Sequence, residues 1–234
     1  MRYAIYFTPP EDHRLTRVAS TWLGRNAFSG EAGDVAHHHD ELLASPRKYG
    51  FHGTLKAPFR LAEAVNETEM LDAFRSFCAQ TRRIPVVKLK VGALGPFLAL
   101  VPADDETSDL DALAAACVKQ FEPFRAPLTP AEIERRNPAK LSDRQREHLQ
   151  RYGYPYVLDA FRFHMTLTGP IDDEDERAQI LSALENQFED ALSQPLVFET
   201  LALFVEPEQG GPFQVLDFAY LNAMNNDKNQ AETA

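Results

Sequence analysis

A tetrad of His, a variable residue, Thr and Leu occurs twice in the chain, at residues 52–55 and 164–167. Each copy follows a Phe and precedes a polar residue, a small residue and a Pro. Side chains alternate across a β-strand, so the His and the Thr of each tetrad are expected to lie on one face. The residues so placed are His52, Thr54, His164 and Thr166. Face to face, two such strands supply two imidazoles and two hydroxyl groups around one small anion.

The same alternation adds flanking residues to the polar face of each strand. Lys56 is expected beside the first tetrad and Thr168 beside the second. Arg162 precedes the second His by two residues and is predicted to contact a phosphate or a sugar. Tyr49 is predicted to stack on a base or a sugar, with a core or rim aromatic as the alternative. The alternative for Lys56 is a solvated charge at the rim.

The apolar pattern around the tetrads predicts a duplicated fold. Strand, helix, His-bearing strand, helix and strand are predicted over residues 3–92. The same series is predicted over residues 96–206, and a closing strand follows at 212–220. We therefore expect an α+β fold in which two pseudo-twofold-related β/α lobes line a central cleft with antiparallel sheets.

The chain is predicted to form a single bilobal domain over residues 1–222, with lobes of about 1–95 and 96–222 that are free to exchange elements. Residues 122–157 break the symmetry, since they insert five prolines and many charges before the second tetrad. A long insertion beside a cleft is often a lid or a specificity element, and a solvated excursion is the alternative. Residues 223–234 are polar and are expected to be disordered.

Charge and composition restrict the compartment and the partners. The formal net charge of −11 disfavours long nucleic acid and anionic membrane surfaces as partners. No apolar stretch approaches the ~20 residues of a membrane span, and no signal-peptide pattern precedes the first predicted strand. Cys78 and Cys117 fall on predicted helices and are interpreted as buried, reduced thiols. These features favour a cytoplasmic protein, and they leave its oligomeric state open.

The sequence predicts neither a metal nor a cofactor. The run His37-His38-His39, with Asp34 and Asp40 nearby, is the one segment that invites a metal interpretation. Adjacent histidines do not all face one point, so a solvated loop is the preferred interpretation. Elsewhere the chain lacks carboxylate or Cys/His clusters at metal-ligand spacing.

The paired tetrads and the duplicated pattern resemble the 2H phosphoesterase superfamily, whose hallmark is two His-x-Thr/Ser motifs on the two lobes of one domain. The resemblance covers roughly residues 2–220. The longer strings at 49–59 and 161–170 are similar to an uncharacterised branch often associated with bacterial phosphonate-utilisation operons. Superfamily members act on cyclic phosphodiesters, so the resemblance implies this chemistry with the two His and two Thr side chains in the site.

Ring opening of a cyclic phosphodiester requires a base on one side of phosphorus and an acid on the other. Two histidines supply both, because a pKa near 6.5 makes the neutral and protonated forms accessible at neutral pH. Thr54 and Thr166 would donate hydrogen bonds to the non-bridging oxygens, where charge develops. The assignment of acid and base is not specified by the sequence.

The leading hypothesis is a metal-independent cyclic phosphodiesterase that acts on a small phosphorylated metabolite. The operon association of the similar branch favours a ribosyl cyclic phosphate in phosphonate metabolism. One alternative is a 2′,3′-cyclic phosphodiesterase for RNA or nucleotides. The other is a non-catalytic module that binds a phosphorylated metabolite.

Overall fold

The computed structural model describes residues 1–33 and 40–222. The run His37-His38-His39 and the tail 223–234 therefore lie outside the described residues. The strands are β1 (Arg2–Phe7), β2 (Gly53–Phe59), β3 (Ile84–Val87), β4 (Leu89–Leu94), β5 (Phe97–Pro102), β6 (Met165–Thr166), β7 (Leu196–Phe198), β8 (Thr200–Glu206) and β9 (Gln214–Tyr220). The helices are α1 (Arg14–Leu23), α2 (Asp40–Tyr49), α3 (Glu67–Gln80), α4 (Ser108–Gln120), α5 (Pro130–Glu134), α6 (Asp143–Tyr152) and α7 (Glu174–Leu192).

One antiparallel sheet contains both tetrads. Over the described residues its strand order is β4-β5-β6-β2-β1-β8-β9, and every neighbouring pair is antiparallel. The two tetrad strands, β2 and β6, are neighbours at its centre. A second, two-stranded antiparallel sheet joins β3 to β7. The predicted α+β class with antiparallel sheets is confirmed.

The duplication predicted from the pattern is visible in the order of elements. The series β1-α1-β2-α3-β3-β4 recurs as β5-α4-β6-α7-β7-β8, so β2 and β6 are equivalent strands. The two halves exchange strands: β4 of the first half pairs with β5 of the second, and β8 of the second half pairs with β1 of the first. The equivalent strands β3 and β7 leave the large sheet and pair with each other. Residue 95 therefore separates the two repeats along the chain, but strands from both repeats pair with each other in the same sheets.

Alternation along β1 separates the two faces of the large sheet. Tyr3, Ile5 and Phe7 belong to the main core, together with apolar residues of α1, α3, α4 and α7. Ala4 and Tyr6 point to the opposite face, where they join a smaller cluster with Phe204 and Phe213. We call this opposite face, which also carries His52 against Tyr6, the cleft face.

Residues 122–157, termed the insertion below, contain short helical pieces with well-defined ends. A capping box between Thr129 and Glu132 begins α5, and one between Ser142 and Gln145 begins α6. Gly153 ends α6 in the left-handed region at φ 74°, a conformation that glycine adopts without strain. Ser142 is thus the N-cap of α6, and Gly153 is its C-cap.

The predicted burial of the two cysteines is observed. Cys78 and Cys117 are buried and unpaired, and burial raises the pKa of the Cys78 thiol to about 12. Among the residues that the structure describes, no helix combines the length and apolar character needed to cross a membrane.

Candidate active site

Pairing between β2 and β6 brings the two tetrads together. Gly53 is the register partner of Met165, and each residue follows its tetrad's His directly. Because the strands are antiparallel, this register sets His52 opposite Thr166 and Thr54 opposite His164. Directly opposed side chains have Cβ atoms roughly 4.5–5.5 Å apart. The sheet therefore gathers the four predicted catalytic residues in one place.

Both imidazole rings are held in the same way. The Nδ1–H of His52 donates to the carbonyl oxygen of Gly50 at 2.8 Å, and that of His164 donates to the carbonyl of Arg162 at 2.8 Å. A carbonyl oxygen only accepts, so each Nδ1 carries the hydrogen and Nε2 of the neutral ring is unprotonated. Each neutral ring thus carries its lone pair on Nε2 and has a fixed orientation, as a proton-transfer residue requires.

Each threonine lies opposite the histidine of the other tetrad in the register of β2 and β6. The Thr54 hydroxyl lies 3.2 Å from Nε2 of His52 and donates to it in the neutral ring. Thr166 is half-buried and pairs with Ala99 of β5. Each hydroxyl can turn toward an anion that occupies the cleft, because a hydroxyl hydrogen rotates freely.

A cavity of about 600 Å³ opens next to the tetrads. Thr54 and His164 line it, and so do aromatic residues from several elements. The insertion supplies one wall through four residues, and an adjoining segment adds further apolar and charged groups. The lining from residue 145 onward consists of Gln145, Tyr154, Tyr156, Val157, Asp159, Ala160, Phe161, Arg162 and His164. The insertion is therefore part of the cavity wall, as a lid or specificity element would be.

Arg162 and Tyr49 differ in how far they match their predicted roles. Arg162 is exposed and lines the cavity two residues before His164. Tyr49 is half-buried, its ring lies 6.2 Å from His52, and one face stacks on Phe213 at 5.1 Å. Arg162 is therefore accessible from the cavity, whereas Tyr49 packs between Phe213 and His52.

The prediction that Lys56 lies on the polar face beside His52 is wrong. Lys56 is buried, and its ammonium group donates to Glu122 Oε2 at 2.9 Å and to the Val118 carbonyl at 3.2 Å. The cause is an irregularity in β2: Tyr6 pairs with Thr54, but the next residue along β1, Ile5, pairs with Lys56. One extra residue in β2 reverses the alternation, so Ala57 lines the cavity in place of Lys56.

The prediction for Thr168 is also wrong. Its side chain is buried, and its hydroxyl accepts from the backbone N–H of Leu98 at 2.9 Å and donates to the Gly169 carbonyl at 2.8 Å. Strand β6 contains two residues and ends at Thr166, so the alternation that would place Thr168 in the cleft does not continue. Thr168 fixes the chain beyond β6 against β5.

Tyr6, which was not predicted as a site residue, contacts a predicted catalytic group directly. Its ring stacks on the His52 imidazole with centroids 3.8 Å apart and planes at 23°. The alternation of β1 places Tyr6 on the cleft face, but the identity of its partner depends on pairing between β1 and β2. A short apolar strand carries no local signal for that contact.

Burial dominates the electrostatics of both histidines. Together with a smaller effect of the nearby His164, it lowers the pKa of His52 to about 4 against the opposing Gly50 carbonyl. Burial also lowers the pKa of His164, against the Arg162 carbonyl. The rings are therefore neutral near pH 7 in the ligand-free protein. Among the residues that the structure describes, no group of three or more His, Cys, Asp or Glu side chains is arranged to hold a metal ion.

Several known proteins are similar to this chain in sequence or in structure. Two curated relatives are named ribose 1,5-bisphosphate phosphokinase PhnN. The protein from Janthinobacterium sp. (strain Marseille) is 40% identical over 222 residues, and that from Laribacter hongkongensis (strain HLHK9) is 34% identical over 238 residues. These alignments cover 91% and 100% of this chain but 49% and 55% of the relatives. The chain thus spans about half the length of the curated relatives it matches.

Solved structures with a similar course of the chain include E. coli LigT complexed with ATP, with a TM-score of 0.41 and 12% identity, covering 94% of this chain and 96% of that chain. A crystal structure of a phosphoesterase has a TM-score of 0.41 and 12% identity, covering 94% of this chain and 98% of that chain. Residues 54–214, more than half of the chain, match the family described as "Protein of unknown function (DUF1045)". The chain therefore belongs to the DUF1045 family.

Proposed function

We propose that this protein is a phosphoesterase that opens a cyclic phosphodiester of a small phosphorylated metabolite by metal-independent, two-histidine acid–base catalysis. The observation that carries the proposal is the matched pair of imidazoles. His52 and His164 immediately precede the adjacent central strands β2 and β6, and each Nδ1 is fixed by the carbonyl two residues earlier. A phosphorus atom between the two Nε2 atoms would have a proton acceptor on one side and a donor on the other.

The surroundings of the two rings support one division of roles. His52 is packed under Tyr6 and keeps a neutral ring, so its Nε2 is suited to accept a proton from water. His164 lines the open cavity beside Arg162, where an approaching phosphate anion favours its protonated form. In the proposed step, water forms the new P–O bond and releases its proton to His52. The ring P–O bond breaks, and the leaving alkoxide takes a proton from His164.

The proposed substrate is a 5-phosphoribosyl 1,2-cyclic phosphate. The relatives' name refers to ribose 1,5-bisphosphate, and this chain matches about half of their length. Hydrolysis of the bond between phosphorus and O2 of a 5-phosphoribosyl 1,2-cyclic phosphate yields ribose 1,5-bisphosphate. Two activities joined in one chain would then produce and consume the same intermediate. Arg162, exposed at the cavity, is suited to the second phosphate of such a substrate.

A second candidate substrate is a nucleoside 2′,3′-cyclic phosphate. The observation that favours it is the aromatic character of the cavity, to which Phe97, Tyr154, Tyr156 and Phe161 contribute. Aromatic side chains stack on bases of any sequence, and each such contact contributes about 1–3 kcal/mol.

The test is turnover of both cyclic phosphates in the presence of EDTA, followed by phosphorus NMR. His52→Ala and His164→Ala should each lower turnover by about 10²–10⁴-fold, the usual contribution of one proton-transfer group. His13→Asn is the matched control, because His13 caps α1 through its side chain and lies outside the cavity lining. Full activity of His52→Ala, or a strict requirement for an added divalent metal, would overturn the mechanism. Tight binding of these ligands without turnover by the wild type would favour the binding module.

A further inference from the structure

A chain of charged side chains connects the catalytic strand β2 to the insertion. Lys56 Nζ donates to Glu122 Oε2 at 2.9 Å. The other oxygen of the same carboxylate accepts from Arg125 Nε at 2.9 Å and from Nη2 at 2.5 Å. One carboxylate thus joins a lysine two residues beyond Thr54 to an arginine near the start of the insertion.

The arginine in turn reaches the far end of the insertion. Arg125 Nη2 lies 3.3 Å from the Arg151 carbonyl oxygen in the last turn of α6. The guanidinium also packs against Gly153, where an added Cβ would lie 3.0–3.1 Å from Arg125 atoms. Tyr154 follows directly and lines the cavity with Tyr156. The contacts therefore run from the back of the Thr54 strand to the aromatic wall that faces Thr54.

Low exposure makes this connection rigid. The side chains of Lys56, Arg125 and Glu122 are 3%, 10% and 24% exposed. Water screens such groups weakly, and removing one partner leaves a buried charge without compensation. The start of the insertion is also fixed by backbone bonds, because Ala62 N donates to the Phe124 carbonyl at 2.9 Å.

We propose that Lys56, Glu122 and Arg125 form a positioning relay that holds the wall with Tyr154 and Tyr156 at a set distance from Thr54, and so determines which substrates fit. The inference deepens the proposed function and rests on it for its kinetic consequences. The three residues act through the wall and do not touch the reacting atoms. This role explains why Lys56, which directly follows the first tetrad, is buried on the side of β2 away from the cleft.

The kinetic test compares a large and a minimal substrate in Lys56→Met, Glu122→Gln and the double variant. The large substrate is 5-phosphoribosyl 1,2-cyclic phosphate, and the minimal one is ethylene phosphate, which does not reach the wall. Each single variant should raise KM for the large substrate about tenfold, leave its kcat nearly unchanged and spare the minimal substrate. The KM of the double variant should not exceed that of the more impaired single variant, because all three variants break the same connection. Lys119→Met, an exposed lysine on α4, is the matched control.

Equal losses on both substrates, or additive effects of the two substitutions, would overturn the relay. Glu122→Gln keeps the shape of the carboxylate and decides the matter if Lys56→Met does not fold.

Amide hydrogen exchange tests the relay without turnover. Peptides covering residues 145–160 should exchange faster in Lys56→Met and Glu122→Gln than in the wild type, while peptides from β1 and β8 keep their rates. Unchanged exchange over 145–160 would overturn the relay. If the wild type turns over neither substrate, the proposed function fails, but the exchange result still decides whether the relay holds the wall.

Discussion

Tyr6 stacks face to face on His52, with ring centroids 3.8 Å apart and planes at 23°. Tyr6 also contacts Phe204 of β8, with ring centroids 4.9 Å apart. The stacked Tyr6 ring and the hydrogen bond from Nδ1 to the Gly50 carbonyl thus fix the orientation of the imidazole. The orientation of the proposed base is set by the pairing of β1 with β2 and β8, and not by the tetrad alone.

Replacing Tyr6 should separate the effect of the ring from that of its hydroxyl. Tyr6→Phe keeps the stacked ring and should retain kcat within a few-fold, whereas Tyr6→Leu frees the imidazole to turn and should lower kcat about 10-fold or more. Tyr6→Leu should also lower the free energy of unfolding by a few kcal/mol, as expected for a shape change in a packed site. Steady-state kinetics at a temperature well below the melting transition measure the first effect. Equal kcat values for the two variants would show that stacking does not position the base.

The three threonines near the tetrads should respond differently to substitution by Val. Thr54→Val and Thr166→Val each remove a proposed donor to the phosphate oxygens and should lower kcat by about 10²–10³-fold with little loss of stability. Thr168→Val should do the reverse, because its hydroxyl accepts from the buried Leu98 N–H. Leaving that N–H without a partner should cost about 1–3 kcal/mol while turnover is preserved. Kinetics and urea unfolding of all three variants check the contrast; a large kcat loss in Thr168→Val would contradict the assignment.

The sequence was sufficient for features that depend on local alternation and on the repeat. The tetrads predicted the two central strands that His52 and His164 immediately precede, and the repeated element order predicted the duplicated antiparallel fold. It was not sufficient for features set by pairing between distant strands. An extra residue in β2 turned Lys56 away from the cleft, and the early end of β6 removed Thr168 from it. Such irregularities depend on which strand lies alongside, and a single strand's pattern does not record that.

The same distinction applies to the exchange of strands between halves. The last strand of each predicted series is divided in the structure, into β3 and β4 in the first series and into β7 and β8 in the second. The first piece of each pairs with its equivalent, and the second piece pairs with the opposite half. Apolar residues continue from β3 into β4 and from β7 into β8. The pattern alone therefore indicates one strand where the structure has two strands in different sheets.

Stability should depend on pH through the two site histidines. Burial places the pKa of His52 at about 4 and also lowers that of His164, below the 6.5 of an unfolded chain. Between these values the unfolded chain binds more protons than the folded one, so the free energy of unfolding falls as pH decreases from about 6.5 toward 4. The contribution of His52 is at most about 3 kcal/mol. It is fully present above pH 6.5 and absent below pH 4.

Urea unfolding at about pH 7 and about pH 5 measures this dependence. His52→Asn should reduce the difference between the two conditions. His13→Asn is a necessary control, because burial also lowers the pKa of His13. A difference that is the same in the wild type and in His52→Asn would show that other groups account for the pH dependence.

Arg162 offers the sharpest test of substrate charge. Arg162 is exposed and lines the cavity beside His164. Its side chain forms no ion pair with another residue that the structure describes. Arg162→Ala should raise KM for 5-phosphoribosyl 1,2-cyclic phosphate about 10–100-fold, the loss expected for hydrogen bonds to a charged group. Arg162→Lys should raise KM less than Arg162→Ala does, since a lysine keeps the charge but cannot form the bidentate contact.

Arg144→Ala is the matched control, because Arg144 is already paired with Asp159 and Glu147 near the same rim. An unchanged KM in Arg162→Ala, or an equal rise of KM in Arg144→Ala, would contradict a direct contact between Arg162 and the second phosphate. Repeating the measurement with the same ring lacking the 5-phosphate locates the contact: the KM effect of Arg162→Ala should then largely disappear.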